Sequence, residues 1–170
     1  DDGKFKILHI ADIQDTPDVA PITLDYISRT CDAEQPDLIV LGGDNAAGAA
    51  GQGSTEEKAL RNMAKTLGSF MSIFEERNIP TAIVFGNHDA QWHWRRPAHT
   101  REDILRSFAE AGVRILEDEC AFAADGRIRI AGRRDAMEER MTPEQLLTEK
   151  IPGVLTVLLC HEPVELGRWL

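Results

Sequence analysis

The chain has 170 residues, 42% hydrophobic and 28% charged, a composition that fits one soluble globular domain with a substantial core. Its net charge of −10 argues against a broad nucleic-acid surface, which needs clustered Lys and Arg, and no apolar run approaches the roughly 20 residues of a membrane span. Cys31, Cys120 and Cys160 are odd in number and widely spaced, so they form neither a disulfide framework nor a zinc-finger pattern and read as buried thiols.

Strand and helix patterns alternate along the chain, which favours an α/β fold with a largely parallel sheet. The apolar run at residues 5–10 predicts a first strand. Pro21 then opens a helix whose stripe of Leu24, Ile27 and Cys31 ends near Pro36. A second strand at 37–41 runs through Gly42 and Gly43, and the glycine-rich stretch 42–53 reads as a loop. Ser54 and Glu57 pair as a capping box for the clearest helix, which carries Leu60, Met63, Leu67, Phe70, Met71 and Phe74 at spacings of three and four. That stripe reads as core.

A third strand covers residues 81–85, and a third helix begins at Thr100, with Asp103 in the capping position, and stops at Gly112. Short strand-like pieces follow at 113–116, 119–123 and 127–131, the last two joined by Asp125-Gly126, a hairpin signal that predicts an antiparallel portion. Thr142-Pro143-Glu144-Gln145 opens another helix, and Pro152-Gly153 precedes a last strand at 154–159. The whole chain, 1–170, reads as a single domain.

Four of these strands run directly into residues that can bind metal. The first leads to Asp12 and Gln14, the second to Asp44, the third to Asn87, His88 and Asp89, and the last to His161. In an open parallel sheet the carboxyl ends of the strands line the ligand crevice, so these groups are expected to meet at one sheet edge. His9, inside the first strand, reads instead as a structural histidine. A dinucleotide-binding turn would need Gly-x-Gly-x-x-Gly after the first strand, and Ala11-Asp12-Ile13-Gln14-Asp15 does not supply it. There is no P-loop either.

Asp12-Ile13-Gln14, Gly43-Asp44-Asn45, Gly86-Asn87-His88-Asp89 and Cys160-His161-Glu162 occur in the order found in the calcineurin-like metallophosphoesterases, and the chain resembles that family from about residue 5 to 166. Gly-Asn-His-Asp after an apolar strand is the most specific element. The resemblance implies a four-layer α/β/β/α sandwich and hydrolysis of a phosphoester or phosphoanhydride by a water that two divalent metal ions activate. It places Asp44 as the bridging ligand, Asp12 and Gln14 on one ion, and Asn87 and His161 with Asp44 on the other. His88 would assist the leaving group, with Asp89 orienting its imidazole.

Two departures from the family pattern shape the expectation. Gln14 stands where most members have His, and a neutral carboxamide oxygen tilts that site towards Mn²⁺, with Mg²⁺, Fe or Zn²⁺ as alternatives. A branch similar to the manganese-dependent ADP-ribose/CDP-alcohol diphosphatases shares Asp-x-Gln. The family's final Gly-His-x-His is not found before Leu170, so the chain is expected to be a fragment that lacks the C-terminal strands. The absence of a Gly-Asp-x-x-Asp-Arg motif favours a phosphodiesterase or pyrophosphatase over a protein phosphatase, and a small phosphorylated substrate. Trp92, Arg95 and Arg96 in the loop after Gly-Asn-His-Asp, with Arg133 further on, are candidates to grip that substrate. The compartment is read as cytoplasmic, from a chain that starts at Asp1 and looks trimmed. The alternative is a non-catalytic scaffold on the same fold that uses a degenerate metal site to bind a partner.

Overall fold

Leu38–Leu41 is an uninterrupted apolar run, and all four residues are buried. A strand covered on both faces reads as continuous rather than alternating, and such a strand belongs in the middle of a sheet. In the computed structural model, which describes residues 4–47, 56–86, 89, 106, 109, 114–134, 136 and 139–162, it is the central strand. With β1 at Ile7–Ile10, β2 at Leu38–Leu41 and β3 at Thr81–Ile83, the first sheet is parallel in the order β1-β2-β3. Ile115 adds a parallel bridge to Ile83, so the expected strand at 113–116 is reduced to one contact on the far side of β3.

Side chains of β2 alternate between two cores. Ile39 and Leu41 pack with α1, Pro21–Glu34, and α2, Glu56–Glu75, through Ile27, Cys31, Met63, Leu67, Phe70 and Phe74. Leu38 and Val40 face the other way, towards Leu116, Ile128, Ile130 and Leu159. Both helices follow the apolar spacing of the sequence. Pro21 occupies the first turn of α1, where a missing N–H costs nothing, and Gln35 closes the helix in the left-handed region with φ 45°.

The second sheet is β4, Glu119–Ala123, β5, Ile128–Gly132, and β6, Leu155–Leu159, in that order. β4 and β5 form the expected antiparallel hairpin, with Asp125-Gly126 at the centre of its loop: Ala124, Asp125 and Gly126 carry φ of 52°, 53° and 83°. β5 pairs with β6 in parallel. α3 is a single turn, Pro143–Leu146, opened at the expected place by a capping box between Thr142 and Gln145.

Among the described residues, helices, the first sheet and the second sheet supply three of the four expected layers. On the outer face of the second sheet, Arg129 is held by Thr156 Oγ1 at 3.2 Å and the carbonyl of Glu149 at 2.9 Å. The expected helix from Thr100 lies outside the described residues, apart from Arg106 and Ala109. No helix among the described residues is long and apolar enough to cross a membrane.

One expectation is corrected by the topology. The last strand does not share a sheet with the first three, because Leu155–Leu159 pairs with β5. The site is therefore built between two sheets that face each other, not along the edge of one.

Candidate metal centre

Beyond the last paired residues of β1 and β2, the backbone ladder continues into the loops. The amide of Asp12 donates to the carbonyl of Gly43, and that of Gln14 to the carbonyl of Asp44, both at 3.0 Å. Ala47 N–H donates to Asp15 at 2.7 Å. Asp12, Gln14 and Asp44 all lie in the left-handed region, with φ of 57°, 47° and 52°. A side-chain-bearing residue held there costs on the order of 1–3 kcal/mol, and such residues gather at functional sites. Here the three are the predicted ligands on these loops.

His161 reaches the same place from the end of β6. Its Nδ1 donates to the carbonyl of Gly42 at 3.0 Å, and its Nε2 lies 3.3 Å from Asp44 Oδ2. Asp12, Asp44 and His161 together offer ligand atoms that all lie within 4.8 Å of one another. Asp44 is buried and Asp12 is exposed, so the group opens to solvent on one side. The hydrogen bond from Asp44 is the main cause that pushes His161 up to about 9, with the Gly42 carbonyl assisting and burial opposing.

This set fits a divalent cation. Two carboxylates supply hard oxygen donors and negative charge, and an imidazole oriented through its other nitrogen by a backbone carbonyl is the usual arrangement of a histidine ligand. Close packing fixes the geometry. A Cβ on Gly43, at φ 102°, would lie 2.6 Å from His161 Nδ1, and one on Gly86 would lie 2.7 Å from His161 Nε2. Only glycine fits at either position.

Asp89 is 1% exposed and sits under this group. Its carboxylate accepts from the backbone N–H groups of Ala46, Gly86 and Asn45. Burial is the largest influence on it and pushes it up to about 6, while the Ala46 and Gly86 amides pull the other way and Asp44 adds to the rise. Gln14 is exposed on the Asp12 loop, joined to Asp44 through its backbone. Asn87, His88, Trp92, Arg95 and Arg96 lie outside the described residues.

Arg133 is 1% exposed, with Nε donating to the Met141 carbonyl at 2.9 Å and Nη1 directed at Cys160 Sγ at 3.8 Å. Its guanidinium ties the segment before α3 to the end of β6. Two further expectations change. Of the cysteines only Cys31 is buried, while Cys160 receives hydrogen bonds from both Arg133 and Arg140. His9 is exposed and lines a cleft of about 400 Å³ with Asp12 and His161, its ring against Gly42. The period of two along β1 could have found it, since His9 shares a face with Ile7 and Ala11 at the cleft.

The family profile described as calcineurin-like phosphoesterase matches residues 5–167. The chain belongs to the calcineurin-like phosphoesterase family. Among its relatives, Probable inactive purple acid phosphatase 14 of Arabidopsis thaliana is 30% identical over 106 residues, 53% of this chain and 24% of the plant protein. Probable inactive purple acid phosphatase 28 of the same plant is 34% identical over 105 residues, again 24% of its length. Phosphatase DCR2 of Saccharomyces cerevisiae is 29% identical over 104 residues, 52% of this chain and 17% of the yeast protein. The matched stretch thus spans about a quarter or less of each relative's length.

Proposed function

We propose that this calcineurin-like phosphoesterase chain forms the metal-binding part of a hydrolase that cleaves phosphoesters or phosphoanhydrides, of the phosphodiesterase or pyrophosphatase type. The observation that carries the reading is the meeting of Asp12, Asp44 and His161 within 4.8 Å, at loops held in left-handed conformations. Two divalent cations, Mn²⁺ first among them, would neutralise phosphate charge there and bring the pKa of a water down towards neutrality. Asp44, which lies against Gly86 and 3.3 Å from His161, would serve as the bridging carboxylate. Asp12 and Gln14 supply oxygen donors from the β1 loop, and His161 supplies nitrogen from the second sheet. His88 assists the departing oxygen, and Asn87 joins Asp44 and His161. The open side at Asp12 admits a small phosphorylated substrate.

A second reading has its own support: two of the plant relatives carry the word inactive in their names, and Gln14 is a weak ligand. On that reading the fold is a partner-binding scaffold. Turnover of bis-(p-nitrophenyl) phosphate by the full-length protein separates the two. The hydrolase reading expects metal-dependent turnover that His88→Ala reduces by about 10²–10⁴-fold with metal content unchanged. Inertness with Mn²⁺, Mg²⁺, Fe and Zn²⁺ alike would leave the scaffold.

A further inference from the structure

Asp89 has both carboxylate oxygens committed. Oδ1 accepts from Ala46 N–H at 3.1 Å, and Oδ2 accepts from Gly86 N–H at 3.1 Å and from Asn45 N–H at 3.4 Å. Asn45 and Ala46 belong to the loop that carries Asp44, whereas Gly86 belongs to the loop after β3. One buried carboxylate therefore joins two of the loops that build the site. Three backbone donors on one anion form a strong, directional tie.

The junction has no slack. A Cβ on Gly86 would lie 2.6 Å from the amide nitrogen of Asp44, and one on Gly43 would lie 2.7 Å from that of Gly86. The neighbouring Asn45 is 1% exposed, and its carboxamide has no hydrogen-bond partner among the described residues. On the β1 side the Asp44 loop is held by its backbone ladder to Asp12 and Gln14. On the β3 side it is held by Asp89.

We propose that Asp89 is a positioning residue for the cation site, fixing Asp44 against Gly86, a role distinct from the expected one as orienting partner of His88. Both carboxylate oxygens accept from main-chain donors that set where Asp44 stands. The inference rests on the reading of Asp12, Asp44 and His161 as a divalent-cation site. It does not require the protein to turn over any particular substrate.

The test uses Asp89→Asn, which keeps the shape but turns one acceptor oxygen into an NH₂ group facing an N–H. Mn²⁺ binding to the metal-free protein, followed by electron paramagnetic resonance of free Mn²⁺, should weaken by about 10–100-fold. Leu67→Ala, in the helical core, serves as a stability-matched control and should bind Mn²⁺ as the parent does. In the full-length enzyme at subsaturating Mn²⁺, Asp89→Asn should slow p-nitrophenyl and alkyl phosphodiesters alike, with added Mn²⁺ restoring both. Unchanged Mn²⁺ affinity with a loss confined to the alkyl leaving group, which needs protonation, would return Asp89 to His88 and overturn the proposal. Equal loss of affinity in Leu67→Ala would also overturn it, as would a parent protein that binds no Mn²⁺. If the parent binds Mn²⁺ without turnover and Asp89→Asn binds it more weakly, the hydrolase reading fails and the positioning role stands.

Discussion

The surroundings of His161 favour its protonated form when no cation is bound. Its Nδ1–H is directed at the Gly42 carbonyl, and the Nε2 proton is held against Asp44 Oδ2 at 3.3 Å. A cation at the site would take the Nε2 lone pair and so would have to displace that proton. With the imidazole raised to about 9, binding at pH 7 should release about one proton, and apparent Mn²⁺ affinity should rise by up to about tenfold per pH unit until pH nears 9. Calorimetric titration in two buffers of different ionisation enthalpy reads the proton count directly. Affinity that is flat from pH 6 to 8 would remove His161 from the ligand set. The stability effect has the opposite sign without metal. The folded-state value lies above the ordinary 6.5, so the His161–Asp44 contribution is full below about 6.5 and is lost as pH rises through about 9.

Among the elements, α2 tests the separation of scaffold from site. Leu67 is 2% exposed and packs with Phe70, Ile39 and Leu41 on the helical side of the first sheet. Leu67→Ala should cost about 2–5 kcal/mol in chemical denaturation, while Mn²⁺ binding in the folded state stays at the parental level. A parallel loss of binding would mean that the helical core reaches the ligands. α2 was legible in the sequence because its apolar residues repeat at helical spacing, and β1, β2 and β3 were legible as apolar runs. The sheet to which Leu155–Leu159 belongs was not. A buried run announces a strand, but nothing in its residues names the neighbouring strand. The partners of Arg133 were not legible for a related reason: Met141 and Cys160 come together with it only through folding. Asp12, Asp44 and His161 were legible because they end strands, while the backbone ties that fix them, at Gly42, Gly43, Ala46 and Gly86, involve peptide groups common to every residue.

The molecule as a whole is two sheets that share one site, since Asp12 and Asp44 come from the first and His161 from the second. Cation binding should therefore report on how closely the sheets pack. Gly132, at the end of β5, pairs with Leu159 at the end of β6, two residues before His161. A Cβ there would run into the Leu116 side chain and lie 2.7 Å from the Leu116 carbonyl and 3.0 Å from Val84 Cγ1. Leu116 is tied to the first sheet, because its amide donates to the carbonyl of Ile83. Gly132→Ala thus wedges the sheets apart at the level where His161 leaves β6, and overpacking of this kind costs about 1–3 kcal/mol. A cation at 100 times its Kd adds about 2.7 kcal/mol to a protein that binds it only when folded. In Gly132→Ala the same Mn²⁺ concentration should add less, so the stability gap between parent and variant should widen when Mn²⁺ is present. Denaturation with and without Mn²⁺ measures that gap. A gap of the same size in both conditions would mean that His161 keeps its place when the sheets move, and that the two sheets do not bind the cation jointly.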